Sequence, residues 1–280
     1  MLQPTMPKKP KLGQNFLISA SAPRAIVDAL GDISDACVLE IGPGHGAITH
    51  LLAGRARRLI AIEYDPVLAS TLKRAYADRP EVEVRTASIL DVDLSKLVHD
   101  VRGHEVRGQD AGSKLVLVGN LPYYITSDIL LHLFHHAAAI DRAVLMVQRE
   151  VAARITAEPG SRDYGMLTAT VQLYGTVEPL LTLPPDAFSP PPEVFSTVFR
   201  MFMRPRFEEL DVAAGSFVPF LRHCFSQKRK TLSNNLRSAG FAADAISAAL
   251  EACRLDPQVR AEAVPLEAAA CLFHHLRSKG

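Results

Sequence analysis

The sequence predicts an α/β fold, a mostly parallel sheet with helices on both faces, followed by a small all-helical domain. Three observations carry this. Short apolar runs alternate with helical stretches over the first two thirds of the 280 residues, the rhythm of strands joined by crossover helices. The first clear run, "ACVLEIG", ends in glycine and opens at once into a helical stretch. From about Val212 the chain is alanine-rich and helical, with no strand signal. Arg204-Pro205-Arg206 punctuates the chain before that change, so the domains are read as 1–204 and 205–280.

Strands are expected at Ala36–Gly42, Arg58–Asp65, Glu81–Ala87, Lys114–Asn120 and Arg142–Gln148. Helices are expected at Ser21–Leu30, Gly46–Arg57, Pro66–Ala77 and Ser127–Ala138. Ser21 reads as the N-cap of the first and Gly31 as its stop. The stretch His99–Ser113 is polar and glycine-rich and reads as a surface loop. After Tyr164, "MLTATVQLYGTVEPLLTL" and "VFSTVFRMFM" read as two extended runs, an antiparallel pair appended to the sheet.

Composition bounds the function loosely. Hydrophobic residues make up 48%, enough for a sizeable core, and the net charge is +1. Only local charge clusters can therefore speak for nucleic acid. The opening "MLQPTMPKKPKLGQ" has no apolar signal-peptide core. No apolar run approaches the roughly 20 residues of a membrane helix. Cys37, Cys224, Cys253 and Cys271 lack C-x-x-C spacing. That argues against a zinc site and a disulfide framework, and suits a reducing cytoplasm. The histidines, His135-His136 and His274-His275 included, show no ligand spacing, so no metal is expected.

The loop Gly42-Pro43-Gly44-His45-Gly46 joins a strand to a helix, and Glu63 follows 21 residues after Gly42 at the end of the next strand. Glycines let the backbone turn sharply and let a ligand come close. An acid at that place can take both hydroxyls of a ribose. The pattern points to an adenosine-containing cofactor at the carboxyl ends of the strands. Nicotinamide and flavin dinucleotides ask for G-x-G-x-x-G, to seat a pyrophosphate on the helix end. The spacing here is G-x-G-x-G, which favours S-adenosylmethionine over NAD.

Seven segments in order, "LGQNFL", "VLEIGPGHGAIT", "IEYD", "GNLPYYIT", "VQREVAARI", "FSPPPEVFSTV" and "FSQKRKTLSNNL", resemble the ribosomal RNA adenine dimethyltransferases, most closely the bacterial small-subunit branch. The resemblance runs from about Lys8 to the C-terminal helices. It implies a Rossmann-like methyltransferase domain that uses S-adenosylmethionine. It also implies two adjacent adenines as substrate, in a hairpin near the 3′ end of 16S rRNA in an immature small subunit. By resemblance, Asn15 and Leu17 cover the cofactor, Gly42 and Gly44 lie against it, and Glu63 holds its ribose. Asn120 approaches both cofactor and base. One position departs from the family pattern. Where an aspartate usually bonds the cofactor's adenine amine, this chain has Ser88, with Asp91 as the alternative if the register shifts. That departure leaves open a second reading, a non-catalytic RNA-binding assembly factor.

The segment "GNLPYYIT" carries the chemistry. An adenine exocyclic amine is a poor nucleophile, because its lone pair is delocalised into the ring. Acceptors around it, the Asn120 side-chain oxygen and the Leu121 carbonyl, can make it more tetrahedral and aim it. Pro122 helps fix that carbonyl. Tyr123 can stack on an extruded base, worth about 1–3 kcal/mol, with Tyr124 packed behind it. By resemblance, Phe188 is a second aromatic wall opposite Tyr123. Two basic clusters suit phosphate contacts: Lys8, Lys9 and Lys11, and then Lys228, Arg229, Lys230 and Arg237, the latter with Gln227, Asn234 and Asn235 as polar donors. No extended apolar interface is legible, so a monomer is expected.

Overall fold

The computed structural model describes residues 14–103 and 114–277. Lys8, Lys9 and Lys11 lie outside them. In chain order the elements are β1 (Phe16–Leu17), α1 (Ala22–Asp28), β2 (Cys37–Ile41), α2 (Thr49–Leu52), β3 (Arg58–Glu63), α3 (Pro66–Ala75), β4 (Val82–Thr86), α4 (Leu94–Gly103), β5 (Leu115–Asn120) and α5 (Thr126–His135). There follow β6 (Ile140–Gln148), α6 (Arg149–Ile155), α7 (Met166–Tyr174), β7 (Gly175–Leu183), β8 (Phe188–Ser189), β9 (Ser196–Met203), α8 (Ala214–Cys224), α9 (Leu232–Ser238), α10 (Ala243–Ala252) and α11 (Leu266–Arg277).

The chain folds into two compact units. The first takes the described residues up to Arg149 with Pro179–Met201, the second Glu150–Glu178 with the described residues from Phe202 on. The chain thus passes between them three times, the last time close to the Arg204-Pro205-Arg206 punctuation.

Seven strands run in the order β4-β3-β2-β5-β6-β9-β7, all in the first unit but for the start of β7 and the last two residues of β9. β4, β3, β2, β5 and β6 are mutually parallel, with Leu39 opposite Ile60 on one side and Leu117 on the other. β2 is buried along its whole length, as a central strand covered on both faces must be. The strand order reverses between β2 and β5, so a crevice opens at their carboxyl ends, where α/β proteins place ligands. Gly119 is needed beside that crevice. A Cβ there would sit 2.7 Å from the Ile41 carbonyl oxygen. Asp65 caps α3, its Oδ1 accepting from the Val67 and Leu68 N–H groups at 2.8 and 3.3 Å, with Pro66 at the first helical position. One apolar cluster, with Ile26, Val38, Leu59, Val116 and Val144, packs under α1 and α2, and a smaller one packs Leu72 of α3 and Tyr76, just past its end, with Ala61 and Val84.

The α/β class is as expected, with some elements corrected. Ser21 does not cap α1 with its side chain; Ser19 Oγ accepts from the Ala22 N–H instead, at 3.2 Å. Gly31 does stop that helix, with φ of 73°. The stretch read as a loop from His99 is helical as far as Gly103, the end of α4, and its remainder lies outside the described residues. Of the run "MLTATVQLYGTVEPLLTL", only the part from Gly175 is strand; Met166–Tyr174 is helix α7. Its Thr and Val residues favour strands, but Ala169 and Leu173, one helical turn apart, are buried in a helical core.

That core belongs to the second unit. Phe217, Phe220 and Phe273 meet at its centre, with Phe273 edge-on to Phe217 at 5.3 Å between centroids. Arg206 forks to Glu209 and Glu267 at 2.6–2.9 Å. The reading of the cysteines is overturned here: Cys253, at the end of α10, is disulfide-bonded to Cys271 on α11, with Cα atoms 6.0 Å apart. Eighteen residues separate them, so no local spacing rule could pair them. Cys37 and Cys224 are buried and take no part in that disulfide, and burial pushes the Cys224 thiol up to about 12. Among the described residues no helix is long and apolar enough to cross a membrane.

Candidate active site

At the carboxyl ends of β2, β3, β4 and β5 the first unit holds a cavity of about 470 Å³, within the roughly 300–1,000 Å³ of small-molecule sites. Asn15, Leu17, Gly42, Gly44, Glu63, Ser88, Asn120, Leu121, Pro122 and Tyr123 all line it. Sequence positions more than a hundred residues apart thus share one wall.

The glycine loop forms the floor. Gly42 and Gly44 adopt φ of 64° and 58°, open to glycine at little cost. A Cβ on Gly44 would lie 3.0 Å from the Phe16 ring, which covers the loop and meets the His45 ring at a tilt, with centroids 4.2 Å apart. Glu63 is buried, its Oε2 accepting from the Gly44 N–H at 3.0 Å and its Oε1 from the Asp65 N–H at 2.8 Å. Each oxygen keeps a lone pair for a further donor. Ser88 follows β4 and caps a short turn, its Oγ accepting from the Leu90 N–H at 3.2 Å. Ser88, Ile89 and Leu90 line the cavity, whereas Asp91 is exposed and does not, so the alternative register is not adopted.

The opposite wall is the end of β5. Asn120 Nδ2 donates to the Asn15 carbonyl at 3.0 Å, which leaves the carboxamide oxygen as the remaining acceptor. The Leu121 N–H donates to the Met146 carbonyl at 3.0 Å. The Pro122 carbonyl accepts from the Ile125 N–H and Thr126 Oγ1, which fixes the turn. Tyr123 is half-buried, and its hydroxyl shares a 2.5 Å hydrogen bond with the fully buried Ser196. Burial raises the Tyr123 hydroxyl above its ordinary value, which keeps the ring neutral.

Some expected positions differ. Tyr124 is 61% exposed and does not pack behind Tyr123. Phe188 does not line the cavity; it is buried in the core under the sheet, and β8 pairs it with Leu17. Its apolar bulk and strand pairing hold the Leu17 segment in place. In the second unit Lys228, Arg229, Lys230 and Arg237 are exposed, with Lys228 Nζ donating to the Arg162 carbonyl at 2.9 Å. Asn235 is not a surface donor. It is buried, and its Nδ2 holds the Cys224 and Gln227 carbonyls at 2.7 and 3.2 Å.

Sequence reasoning missed Glu40, a carboxyl on the otherwise apolar β2 that also lines the cavity. Burial pushes it up to about 7, nearby Thr49 pulls it down in part, and Glu63 adds repulsion. Neither Glu40 Oε2 nor Thr49 Oγ1 has a hydrogen-bond partner. The signal was present, a lone acid in a five-residue buried strand.

Residues 6–277 match the profile of ribosomal RNA adenine dimethylases. The chain belongs to the ribosomal RNA adenine dimethylase family. The ribosomal RNA small subunit methyltransferase A of Acidobacterium capsulatum is 56% identical, over 97% of this chain and 92% of its own. The protein of the same name from Koribacter versatilis is 55% identical, over 96% and 95%. The crystal structure of a dimethyladenosine transferase from Plasmodium falciparum shares the fold, with a TM-score of 0.75 at 24% identity over 95% of this chain and 98% of that one. The 23S rRNA methyltransferase ErmE matches with a TM-score of 0.68 at 25% identity over 94% and 100%.

The dimethylase cofactor is S-adenosylmethionine, and the cavity fits it. The glycine floor leaves room, since a Cβ on Gly42 would still be 3.9 Å from its nearest neighbour, the Asn120 carbonyl. Glu63 offers acceptors for hydroxyls, Ser88 offers a hydroxyl that can donate or accept, and apolar Leu17, Ile41, Ile62 and Ile89 line the same cavity.

Proposed function

We propose that this dimethylase transfers two methyl groups to N6 of each of two adjacent adenines, in a hairpin near the 3′ end of 16S rRNA, on an immature small subunit. It acts in the cytoplasm as a monomer. The relatives' shared name supports the small-subunit substrate. The observation that carries the chemistry is the tethered Asn120 carboxamide at the cavity wall, beside Leu121, Pro122 and Tyr123.

When bound, S-adenosylmethionine supplies a methyl on a positive sulfur, whose leaving group is a neutral thioether. Asn15 holds the Asn120 nitrogen, so the Asn120 oxygen faces its task as an acceptor for the adenine amine. The Leu121 carbonyl, at the point where the chain leaves β5, is the second acceptor. Together they orient the amine lone pair, and positioning supplies most of the rate. Tyr123, held by Ser196, stacks on the base, which offsets the cost of extruding it. No strong general base is needed, because the alkylated amine is acidic and loses its proton afterwards. A monomethyl adenine keeps one N–H, so a second transfer follows by the same route. The exposed Lys228, Arg229, Lys230 and Arg237 make phosphate contacts that position the RNA without reading its sequence.

The test is methyl transfer from labelled S-adenosylmethionine to small-subunit precursor particles, with nucleoside mass spectrometry. Dimethyladenosine in small-subunit RNA is expected. Cofactor binding without transfer to any ribosomal particle would overturn the proposal.

A further inference from the structure

Among the described residues, Cys253, Cys271 and His275 place one ligand atom each within 4.8 Å of one another. Cys271 and His275 stand four residues apart on α11, so one helix face presents both. Cys253 reaches them from the end of α10. The adjacent His274 is turned to another task, its ring Nε2 against the Leu210 carbonyl at 3.0 Å. Both cysteines are half-buried and His275 is exposed, so a small ion can reach the three atoms from solvent.

We infer that, once the disulfide is reduced, Cys253, Cys271 and His275 bind one zinc ion. Two thiolates and an imidazole form the borderline-soft donor set that zinc prefers over magnesium, calcium or manganese. Cα atoms 6.0 Å apart let the sulfurs part to the roughly 3.8 Å they take on a tetrahedral ion with bonds of about 2.3 Å. Water fills the fourth position. The chemistry balances without a redox partner at the binding step: the ion enters, the two thiols release two protons, and the imidazole binds neutral. Opening the disulfide takes a two-electron reductant: two thiols, which leave as their own disulfide, or one phosphine, which takes an oxygen from water and leaves as its oxide. The two states exclude each other, because a disulfide sulfur has no thiolate to give. Each ties α10 to α11, the disulfide covalently and the ion by coordination. A reducing compartment favours the thiol state, so the ion would be the tie present there.

The experiment uses the full chain, reduced with a phosphine, freed of metal, and titrated with zinc against a chromogenic chelator. Cobalt serves as the spectroscopic probe for thiolate ligands. One equivalent of zinc is expected, with thiolate-to-cobalt charge transfer, and disulfide formation should abolish both. His275→Ala, a change at an exposed position, should weaken binding by at least about tenfold, the lower end of what losing even an outer-shell partner costs a metal site. Cys253→Ser should remove the charge-transfer band, which separates this site from Cys37 and Cys224. Equal binding before and after oxidation, or binding unchanged in His275→Ala, would overturn the inference and leave a structural disulfide alone. The outcome does not depend on whether the chain methylates RNA.

Discussion

Glu40→Gln should abolish a specific pH dependence of stability. Glu40 is fully buried, and its Oε2 makes no hydrogen bond. Burial raises its folded-state value from 4.5 to about 7. Below pH 4.5 the folded and unfolded chains both hold the proton, and this group adds no pH dependence. Between there and about 7 the unfolded chain has lost the proton while the folded chain keeps it. Stability therefore falls as pH rises through this window, then levels off. At about 1.4 kcal/mol per pH unit, the whole window is worth about 3 kcal/mol. Urea unfolding of the cofactor-free chain at several pH values from 4.5 to 8 measures it. Glu40→Gln, a neutral amide of the same shape, should flatten this component and make the chain more stable than wild type at pH 8. Identical pH profiles for variant and wild type would refute the reasoning.

Gly119→Ala, which places a Cβ 2.7 Å from the Ile41 carbonyl oxygen, should cost about 1–3 kcal/mol of stability and weaken cofactor binding, as read by thermal unfolding and calorimetry. Ser196→Ala should cost about 1 kcal/mol and slow methyl transfer several-fold by freeing the Tyr123 ring, with cofactor affinity unchanged in calorimetry. Reducing the Cys253–Cys271 bond in metal-free protein opens a loop closed across 18 residues and should destabilise the second unit by about 3 kcal/mol, seen as faster hydrogen exchange in α10 and α11.

Much of the catalytic unit was legible because its signals are local. Periodicity and breakers fall within a few residues, so the five parallel strands were found to within two residues of their ends. The glycine loop and Glu63 are likewise separated by a single βαβ unit. Long-range packing decided what the sequence hid. α7 has strand-favouring residues, but a helical core takes them up. The two bonded cysteines meet only after α10 and α11 pack. Phe188 and Asn235 carry the right chemistry for a site, yet burial assigns them to a core contact and a loop tether. Ser196 and Glu40 lie inside segments that the motifs marked, "FSPPPEVFSTV" and "VLEIGPGHGAIT", but only the fold shows which side chain of each segment reaches the cavity region.

The most direct test of the account is the rate of methyl transfer by Asn120→Ala to small-subunit precursor particles in a single turnover, with cofactor affinity measured alongside. The tethered carboxamide oxygen is assigned a role at the reacting amine, comparable to an oxyanion-hole donor, whose loss costs about 10²–10³ in rate. A drop of that order with cofactor still bound is the expected result. A variant that methylates adenine at close to the wild-type rate would contradict it.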